Sequence, residues 1–475
     1  MAASALLQPT LHVEVLLKNR GRCVNAHDIC REITEALANN YVELQVGQDI
    51  SLDRLDTGST VNVESVVVSD YTGGGIWEGC HDLEHTQLDV QAYVLKADHS
   101  PSARQPLHED DEDDVPKARM VALPNITLRD CWSTLVYEDH LPAQLLRYLT
   151  RMLGLMKQPG LNLSTFNWNR LCLLHGPPGS GKSTLCRALA QKLSIRLSNV
   201  FPSAILVEVN TNAMLSKYFG ESGKKIGALF EVIYQMAQSC KTLVCVVMDE
   251  VETIAGSRER AASGGECSDG LRATNQLLTA LDRLRALPNI IVLCTSNLID
   301  AIDPAFLDRV DIKQLIPCPS PAAIYDIFRS CLNELVRASL IDTTTLPVAS
   351  QPLAASASSP TKPAKRRAVR RSNTDLQSMD GPATSSPERW QLISAPSVPP
   401  YAEMMVHYNK PQSAGPRVWA LAQKCEGLSG RTLRRLPVLG LAMYTWGGNC
   451  SLENAVSALE QAVNQELLAK QMKES

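Results

Sequence analysis

One stretch of the sequence has the residue types and the spacing of a phosphate-binding loop. It reads GPPGSGKST and matches the pattern G-x-x-x-x-G-K-[ST], directly after an apolar segment and directly before a helical one. Glycine lets such a loop turn tightly, so that backbone N–H groups and the next helix N-terminus surround phosphate groups. The sequence therefore predicts ATP as a ligand. The residues predicted to bind it are Gly176, Pro177, Pro178, Gly179, Ser180, Gly181, Lys182, Ser183 and Thr184.

Two acidic residues follow another apolar segment, TLVCVVMDE, which ends in Asp249 and Glu250. If this segment is a strand of a parallel sheet, its acids lie at the carboxyl edge beside the phosphate loop. Lys182 then supplies positive charge to the β- and γ-phosphates, while Ser183 and Asp249 hold Mg²⁺. Glu250 polarises the water that attacks the γ-phosphate. The pattern predicts Mg²⁺-dependent hydrolysis of ATP.

Two further residues are candidates for the same chemistry. Asn297 ends the apolar segment NIIVLCTSN, where its amide could orient the attacking water, although a lone Asn there is more often a turn former. Arg309, in AIDPAFLDRVD, could reach the nucleotide of a neighbouring subunit and neutralise charge on the transferred phosphoryl group. The alternative for Arg309 is a surface arginine paired with Asp308 or Asp311.

A second candidate arginine, Arg431, lies in GLSGRTLRRLP, at the predicted start of a C-terminal helix. Arg431 is expected to reach the same nucleotide from that helical region. Arg434 and Arg435 are predicted to face solvent.

The elements that must position these residues follow an α/β pattern. Between about 170 and 320, short apolar strands alternate with amphipathic helices, which is typical of a parallel sheet covered by helices on both faces. After 320 the chain becomes helical, with segments beginning at about residues 322, 431 and 451. Residues 10 to 100 alternate strand-like pieces with one helical stretch, AHDICREITEALANN, and predict a small α+β domain.

Composition divides the chain further. The run EDDEDD at 109 to 114 indicates a solvated linker, and residues 343 to 400, rich in Ser, Pro and Ala, predict a disordered insertion. That insertion contains a basic run, Lys365 to Arg371, which resembles a nuclear localisation signal and is as readily a solubilising charge run. The predicted parts are 1–107 (N-terminal domain), 108–122 (linker), 123–320 (α/β region with its lead-in), 321–342 with 401–475 (helical region) and 343–400 (insertion).

Charge and hydropathy exclude several classes of function. The net charge of −4 over 475 residues gives no basic excess for nucleic acid, and no segment has the apolar length of a membrane span. We expect a soluble intracellular protein whose 14 cysteines are buried reduced thiols. Cys80, His81 and His85 lie close together, but three ligands without a second cluster are too few for zinc, and polar loop residues are the preferred interpretation.

Taken together, the phosphate loop, the DE-ending strand, the Asn297 sensor, Arg309 and the arginine-bearing helical region resemble the AAA+ superfamily. Within it, the phrases TFNWNRLCLLHGPPGSGKSTLCRALAQKLSIRL, MDEVETIAGSR, AFLDRVDIKQLI and CEGLSGRTLRRLP are similar to the pachytene checkpoint protein 2 family. The N-terminal PTLHVEVLL and the WSTLVYEDHL stretch extend the resemblance over most of the chain. More typical AAA proteins have two arginines at this place in the chain. The assignment of Arg309 as the arginine that reaches a neighbouring subunit's nucleotide therefore rests on the resemblance to this family.

The resemblance implies a homo-hexameric ring that converts HORMA-domain proteins from a closed to an open form, through a HORMA-like adaptor recruited by the N-terminal domain. It implies roles in spindle checkpoint silencing and in meiotic recombination and synapsis. The implied location is the nucleus and cytoplasm, with chromosomes and kinetochores during division. Direct sequence-specific binding of nucleic acid and binding of membranes are not expected.

Related motors grip their substrate with a loop that lines the central pore. The matching segment here is SKYFGESGKK, in which Tyr218 is the gripping aromatic, flanked by Lys217 and Phe219 and followed by Gly220. The alternative is an aromatic buried under a helix. A second pore loop is expected in residues 256 to 270.

Other functions remain open from the sequence. One is a severing or complex-disassembling AAA motor with another client, although the strand-rich N-terminus and acidic linker do not favour a microtubule-severing enzyme. Another is a nucleotide-controlled scaffold, which would tolerate loss of Glu250.

Overall fold

The computed structural model describes most of the chain. The described residues are 9–19, 25–55, 58–73, 79–97, 118–137, 140–156, 165, 168–214, 221–256, 267–342, 398–406, 414–445 and 450–474. They form two compact units, Met1–Ile327 with Trp419–Arg435, and Phe328–Val418 with Leu436–Ser475.

The larger unit begins with a small α+β layer. Its elements are β1 (Thr10–Leu17), α1 (Ala26–Asn40), β2 (Glu43–Gln45), β3 (Asp49–Ile50), β4 (Val63–Thr72), β5 (Cys80–Asp82) and β6 (Gln87–Tyr93). The main sheet has the order β3-β4-β1-β6, with β1 antiparallel to β4 and parallel to β6. The prediction of an α+β domain is confirmed.

The core of this layer is formed by apolar residues that recur with the helical period in α1 and with the two-residue period of a strand in β1. Asn25 begins α1 by accepting a hydrogen bond from the backbone N–H of His27. Apolar residues then recur every fourth position on one face of the helix, and every second position of β1 faces them. The residues at these positions are Leu11, Val13, Val15, Ile29, Ile33 and Leu37, all buried.

The predicted interpretation of GCHDLEH as a polar loop is wrong for His81. His81 belongs to β5, is buried, and stacks on the Tyr71 ring with centroids 3.6 Å apart. His85 remains at the surface, where its Nδ1 pairs with Asp82 at 2.9 Å. An aromatic stack and a surface ion pair therefore account for the two histidines.

The central part of the larger unit is an α/β layer. Its elements are β7 (Ala118–Leu123), α2 (Leu141–Met156), β8 (Leu171–His175), α3 (Lys182–Arg196), β9 (Ser203–Val209), α4 (Thr211–Met214), α5 (Glu221–Ala237), β10 (Thr242–Met248), α6 (Cys267–Leu284), β11 (Ile290–Ser296), α7 (Pro304–Leu307) and β12 (Ile312–Leu315). The sheet order is β12-β8-β11-β10-β9-β7, and every neighbouring pair is parallel except β9 with β7. The predicted parallel sheet is confirmed.

Continuous apolar runs form the inner strands because both faces of the sheet are covered. Alternate side chains of β10 enter different cores: Val244 and Val246 pack with α5 and α6, whereas Cys245 and Val247 pack with α2 and α3. The cysteines of these runs are buried free thiols, and burial raises the pKa of Cys245 to about 12.

The edge strand β7 corrects the predicted domain boundary. The linker was predicted to end at residue 122, but Ala118–Leu123 pairs antiparallel with β9 along its whole length. Residues 109 to 114, the acidic run itself, lie outside the described part of the chain.

Helix α3 connects the phosphate loop with the N-terminal layer. Its last turns carry two cations that pair with acids of β1 and β4: Lys192 with Glu14 at 2.6 Å, and Arg196 with Asp70 at 2.7 Å. The side chains of Arg196 and Asp70 are 5% and 2% exposed. Removal of one partner from a buried ion pair lowers the free energy of unfolding far more than removal of one partner from a surface pair.

We expect Arg196→Met to lower the free energy of unfolding by about 3 kcal/mol, the low end for a broken buried pair, because Asp70 then stays buried with only the more distant Arg147, whose Nε lies 3.9 Å away. Thermal unfolding and amide hydrogen exchange of β1 and β4 measure the loss. Arg31→Met, which removes an exposed arginine 3.9 Å from Asp28, is the matched control and should change little. Adding Asp70→Asn to Arg196→Met should recover part of the stability; a double variant as unstable as the sum of the singles would contradict the pairing.

The smaller unit is helical. The remaining elements of the chain are α8 (Pro321–Arg337), β13 (Ile341–Asp342), α9 (Tyr401–Val406), α10 (Ala414–Lys424), α11 (Gly430–Tyr444), β14 (Cys450–Ser451) and α12 (Leu452–Glu474). Gly440 allows α11 to approach α12 closely, because a Cβ there would lie 2.9 Å from the Ala458 carbonyl oxygen. Packing assigns the first residues of α8, up to Ile327, and Trp419–Arg435 to the larger unit.

Residues 343–397 of the predicted insertion, including the basic run Lys365 to Arg371, lie outside the described residues. Val398, which the prediction also placed in the insertion, is buried and exchanges two hydrogen bonds with the Asn333 side chain. Among the described helices, none has the length and apolar character needed to span a membrane.

Candidate active site

The phosphate loop lies between β8 and α3, at the carboxyl edge of the sheet. Gly176, Gly179 and Gly181 have φ angles of 143°, 74° and 95°, in the region that favours glycine. A Cβ on Gly176 would lie 2.2 Å from the Ile316 carbonyl oxygen. These glycines are therefore required by the path of the loop.

Lys182 is the first residue of α3 and is 6% exposed. Its Nζ donates hydrogen bonds to the carbonyl oxygens of Gly176 at 2.9 Å and Pro177 at 2.7 Å. Burial lowers the pKa of Lys182, and the nearby carboxylates of Asp249 and Glu252 oppose that shift. The ammonium group is thus held inside the loop, where phosphate oxygens would be the competing acceptors.

Ser183 and Asp249 meet where the phosphate loop faces the end of β10. Ser183 Oγ lies 2.7 Å and 2.9 Å from the two carboxylate oxygens of Asp249. One hydroxyl and one carboxylate, both hard oxygen donors, are the ligands that Mg²⁺ takes from a protein when substrate phosphates and water complete the shell. The predicted metal-binding residues therefore fit Mg²⁺.

Glu250, the second residue after β10, has a strained backbone conformation. Its φ and ψ are both 53°, the left-handed region that residues with a side chain seldom adopt. Its backbone N–H donates to Thr295 Oγ1 at 3.2 Å. Strain of this kind is concentrated at functional sites, where the surrounding structure fixes it.

Asn297 follows β11 beside these acids. Its backbone N–H donates to Glu252 Oε1 at 3.0 Å, and the other oxygen of Glu252 is buried without a hydrogen-bond partner among the described residues. Strands β10 and β11 are parallel neighbours, so their carboxyl ends bring Asp249, Glu250 and Asn297 to one edge.

A cavity of about 550 Å³ opens at this edge of the larger unit. Its lining residues are Thr134, Leu135, Val136, Tyr137, Pro178, Gly179, Ser180, Gly181, Lys182, Ser183, Thr184, Arg187, Asp249, Glu250, Thr295, Asn297, Pro319, Ile327, Gly430, Arg431 and Arg434. Phosphate-binding, acidic and apolar surfaces share this one space. Such a combination accommodates a nucleotide, with the phosphates at the loop and the base at the apolar end.

The apolar end includes a segment that the motif analysis did not assign to the site. Residues 134 to 137 line the cavity, and the Tyr137 hydroxyl donates to the Ser180 carbonyl oxygen at 3.4 Å. A Cβ on Gly181 would lie 3.0 Å from the same hydroxyl. Burial raises the pKa of Tyr137, which keeps the phenol protonated. The only sequence signal for this segment was its family-like phrase WSTLVYEDHL.

The C-terminal arginines differ from prediction in one respect. Arg431 lines the cavity as predicted, and its backbone N–H donates to the Gly179 carbonyl oxygen at 3.3 Å. Arg434 was predicted to face solvent, but it also lines the cavity and donates to the Thr134 carbonyl oxygen. The spacing i, i+3 on a helix places the two arginines on one face and could have indicated this. Arg435 is exposed.

Arg309 lies apart from the cavity formed by the described residues. Its guanidinium forms two hydrogen bonds, of 2.9 Å and 2.8 Å, with the carboxylate of Asp282 on α6. The alternative prediction of a pair with Asp308 or Asp311 named the wrong partner. Asp311 instead accepts the backbone N–H groups of Leu171 at 3.1 Å and Asn169 at 3.4 Å. Placement outside its own site is compatible with action on a neighbouring subunit.

The predicted pore residues Lys217, Tyr218, Phe219 and Gly220 lie outside the described residues, as do residues 257–266 of the second predicted loop. The described helices that follow these segments are α5 and α6. The pore-loop assignments therefore stay predictions.

Comparisons with known proteins agree with this arrangement. Residues 172–318 match the model of the ATPase family associated with various cellular activities (AAA), residues 6–98 match the TRIP13 N-terminal domain, and residues 385–467 match the TRIP13-like AAA+ ATPase lid C-terminal domain.

Curated relatives match along almost the whole chain. The Pachytene checkpoint protein 2 homolog of Danio rerio is 32% identical over 470 residues, which cover 98% of this chain and 96% of that protein. The Homo sapiens homolog is 31% identical over 460 residues, covering 96% and 93%.

A solved structure of C. elegans PCH-2 has the same fold, with a TM-score of 0.68 and 24% identity over 96% of this chain and 99% of that one. The phosphate loop, the paired acids and full-length identity above 30% lead to one conclusion. The chain belongs to the pachytene checkpoint protein 2 family of AAA+ ATPases and is an ATP-hydrolysing enzyme.

Proposed function

We propose that this chain is a homo-hexameric motor that converts HORMA-domain proteins from a closed to an open form, using Mg²⁺ and ATP. The observation that carries the proposal is the presence of the family's N-terminal domain together with the complete nucleotide site. An AAA+ module alone is compatible with many clients, whereas the N-terminal domain is the part that distinguishes this family from other AAA+ motors.

The contacts of α3 support the proposal physically. The helix begins at Lys182 in the phosphate loop and ends at Arg196 in a buried ion pair with Asp70 of the N-terminal layer. A helix of this length spans about 22 Å without flexible joints. A change at the phosphates is thereby transmitted to the layer proposed to recruit the adaptor and the client.

Hydrolysis is assigned to the residues of the cavity edge. Lys182 holds the phosphates, and Ser183 and Asp249 would hold Mg²⁺, which when bound would supply positive charge for the phosphate oxygens. Glu250 takes the proton from the attacking water, Asn297 orients that water, and Arg431 contacts the nucleotide from the C-terminal helix. Tyr218, flanked by Lys217 and Phe219, pulls the client segment through the ring.

The proposed cellular roles are spindle checkpoint silencing and control of meiotic recombination and synapsis. The proposed locations are the nucleus and cytoplasm, with chromosomes and kinetochores during division. These roles rest on the family alone, and the basic run Lys365 to Arg371 is the segment whose deletion tests nuclear entry.

The decisive experiment measures ATP turnover by the purified full chain, with and without a closed HORMA-domain protein and its adaptor. We expect the client to stimulate turnover and to be recovered in its open form, whereas the Glu250→Gln variant binds ATP and converts no client. If the HORMA-domain protein neither changes ATP turnover nor is converted to its open form, the chain is a motor with another client. Client conversion that survives Glu250→Gln points to a nucleotide-controlled scaffold.

The hexamer is tested separately by light scattering of the Glu250→Gln variant with ATP, which holds the nucleotide without turning it over. A mass of six chains supports the proposal. A monomer under these conditions contradicts it.

A further inference from the structure

Thr295 occupies the point where β10 and β11 separate. The backbone pairing of these strands ends with Met248 opposite Cys294, one residue before Asp249 and Thr295. Beyond that pair of residues, the side chain of Thr295 connects the two segments by hydrogen bonds. Thr295 Oγ1 donates to Asp249 Oδ1 and accepts the backbone N–H of Glu250 at 3.2 Å.

One hydroxyl therefore contacts both acids of the site in different ways. By donating to Asp249, it fixes the carboxylate whose oxygens lie 2.7 Å and 2.9 Å from Ser183 Oγ. By accepting from Glu250, it anchors the residue whose φ of 53° needs support from its surroundings. The direction of the Glu250 side chain follows from that backbone conformation.

Packing does not explain a threonine at this position. Thr295 is 1% exposed, and the preceding residues of β11 run Ile290, Ile291, Val292, Leu293, Cys294. Valine has the same shape and suits a buried strand, while a buried hydroxyl is unfavourable unless it is hydrogen-bonded. The hydroxyl is thus accounted for by its two bonds to the acids.

We propose that Thr295 is a positioning residue for ATP hydrolysis, whose hydroxyl holds Asp249 against Ser183 and fixes the conformation of Glu250. It acts through these two residues and touches neither the attacking water nor the transferred phosphate.

The test is the Thr295→Val variant of the full chain. We expect kcat for ATP to fall by about 10- to 100-fold, since a displacement of about 1 Å at a reacting centre costs about that much. KM for ATP should stay within about threefold, because the phosphate loop and the apolar end of the cavity are unchanged. Thr295→Ser restores the hydroxyl and should bring kcat back to within about threefold of the unchanged chain.

The matched control is Thr274→Val. Thr274 is also buried, 2% exposed, and its hydroxyl donates to the Ile254 carbonyl oxygen at 2.8 Å. Thr274→Val therefore removes a buried hydroxyl that contacts neither Asp249 nor Glu250. It should keep its kcat. Thermal unfolding of all variants, and their affinity for a fluorescent ATP analogue with and without Mg²⁺, are measured alongside turnover. The Mg²⁺-dependent gain in affinity should shrink only in Thr295→Val.

Three results would overturn the proposal: kcat of Thr295→Val within threefold of the unchanged chain, an equal loss in Thr295→Ser, or an equal loss in Thr274→Val. If Thr295→Val does not fold, Thr295→Ala removes the same hydroxyl without placing a methyl group beside Asp249, and the same criteria apply to it.

Discussion

The Glu250→Gln variant is expected to hydrolyse ATP about 10³-fold more slowly than the unchanged chain while still binding it. A positioned general base contributes about 10²- to 10⁴-fold, and an amide cannot accept the proton of the attacking water. Glu250 lines the cavity together with Asp249 and Asn297, and its backbone has the left-handed conformation. Steady-state turnover and binding of a fluorescent ATP analogue measure the two properties separately.

Glu334→Gln is the matched control for this change. Glu334 is an exposed glutamate away from the cavity, and its carboxylate pairs with Arg337 one turn further along the helix. Its loss should leave turnover unchanged. A Glu250→Gln variant that keeps more than a tenth of the turnover, or that fails to bind ATP, would show that Glu250 is not the base.

Much of the α/β layer could be predicted because its signals are local. An apolar run such as TLVCVVM reads as a strand covered on both faces, and the glycines of the phosphate loop are fixed by backbone geometry at 176, 179 and 181. The two acids then reach the loop because β10 is parallel to its neighbours and its end lies at the same edge.

What escaped prediction depends on contacts between distant segments. The strand Ala118–Leu123 comes soon after the acidic run, which by itself indicates a linker. Its place beside β9 depends on pairing with residues 80 or more positions away. Arg434 faces the cavity because the carbonyl of Thr134, 300 positions away, lies there. His81 is buried because Tyr71 offers it a ring to stack on. The i, i+3 spacing of Arg431 and Arg434 indicates a shared helix face, but no periodicity or motif identifies the partners themselves.

Thr295 and Glu252 illustrate a second limit. Both stand beside residues that the motifs did identify. Thr295 accepts the backbone N–H of Glu250 and donates to the Asp249 carboxylate, and Glu252 accepts the backbone N–H of Asn297. A sequence pattern shows which side chains could react. It does not show which neighbours hold their backbone in place.

Arg309→Ala is expected to lower kcat for ATP by about 10³-fold if its guanidinium acts on the nucleotide of the next subunit in the ring. In the single chain it is paired with Asp282, and both side chains are partly exposed. Such a pair contributes about 1 kcal/mol or less, so a phosphoryl group carrying developing charge can replace the carboxylate. Affinity for ATP should change little, because Arg309 does not line its own cavity.

Arg283→Ala is the matched control, since Arg283 lies on the same helix as Asp282 and forms an exposed pair with Glu231. It should keep full turnover and the same thermal unfolding as the unchanged chain. Equal losses of turnover in the two variants would show that Arg309 acts only as a partner in a surface ion pair.

Mixing two inactive variants separates action on a neighbour from action within one chain. An Arg309→Ala subunit keeps an intact Glu250, and a Glu250→Gln subunit keeps an intact Arg309. In a closed ring assembled from equal amounts of both, about a quarter of the interfaces combine one subunit's good site with the other's arginine. Turnover should therefore rise far above that of either variant alone. A mixture no more active than its components would contradict action of Arg309 on a neighbouring subunit, because a residue that works only within its own chain cannot be supplied by another.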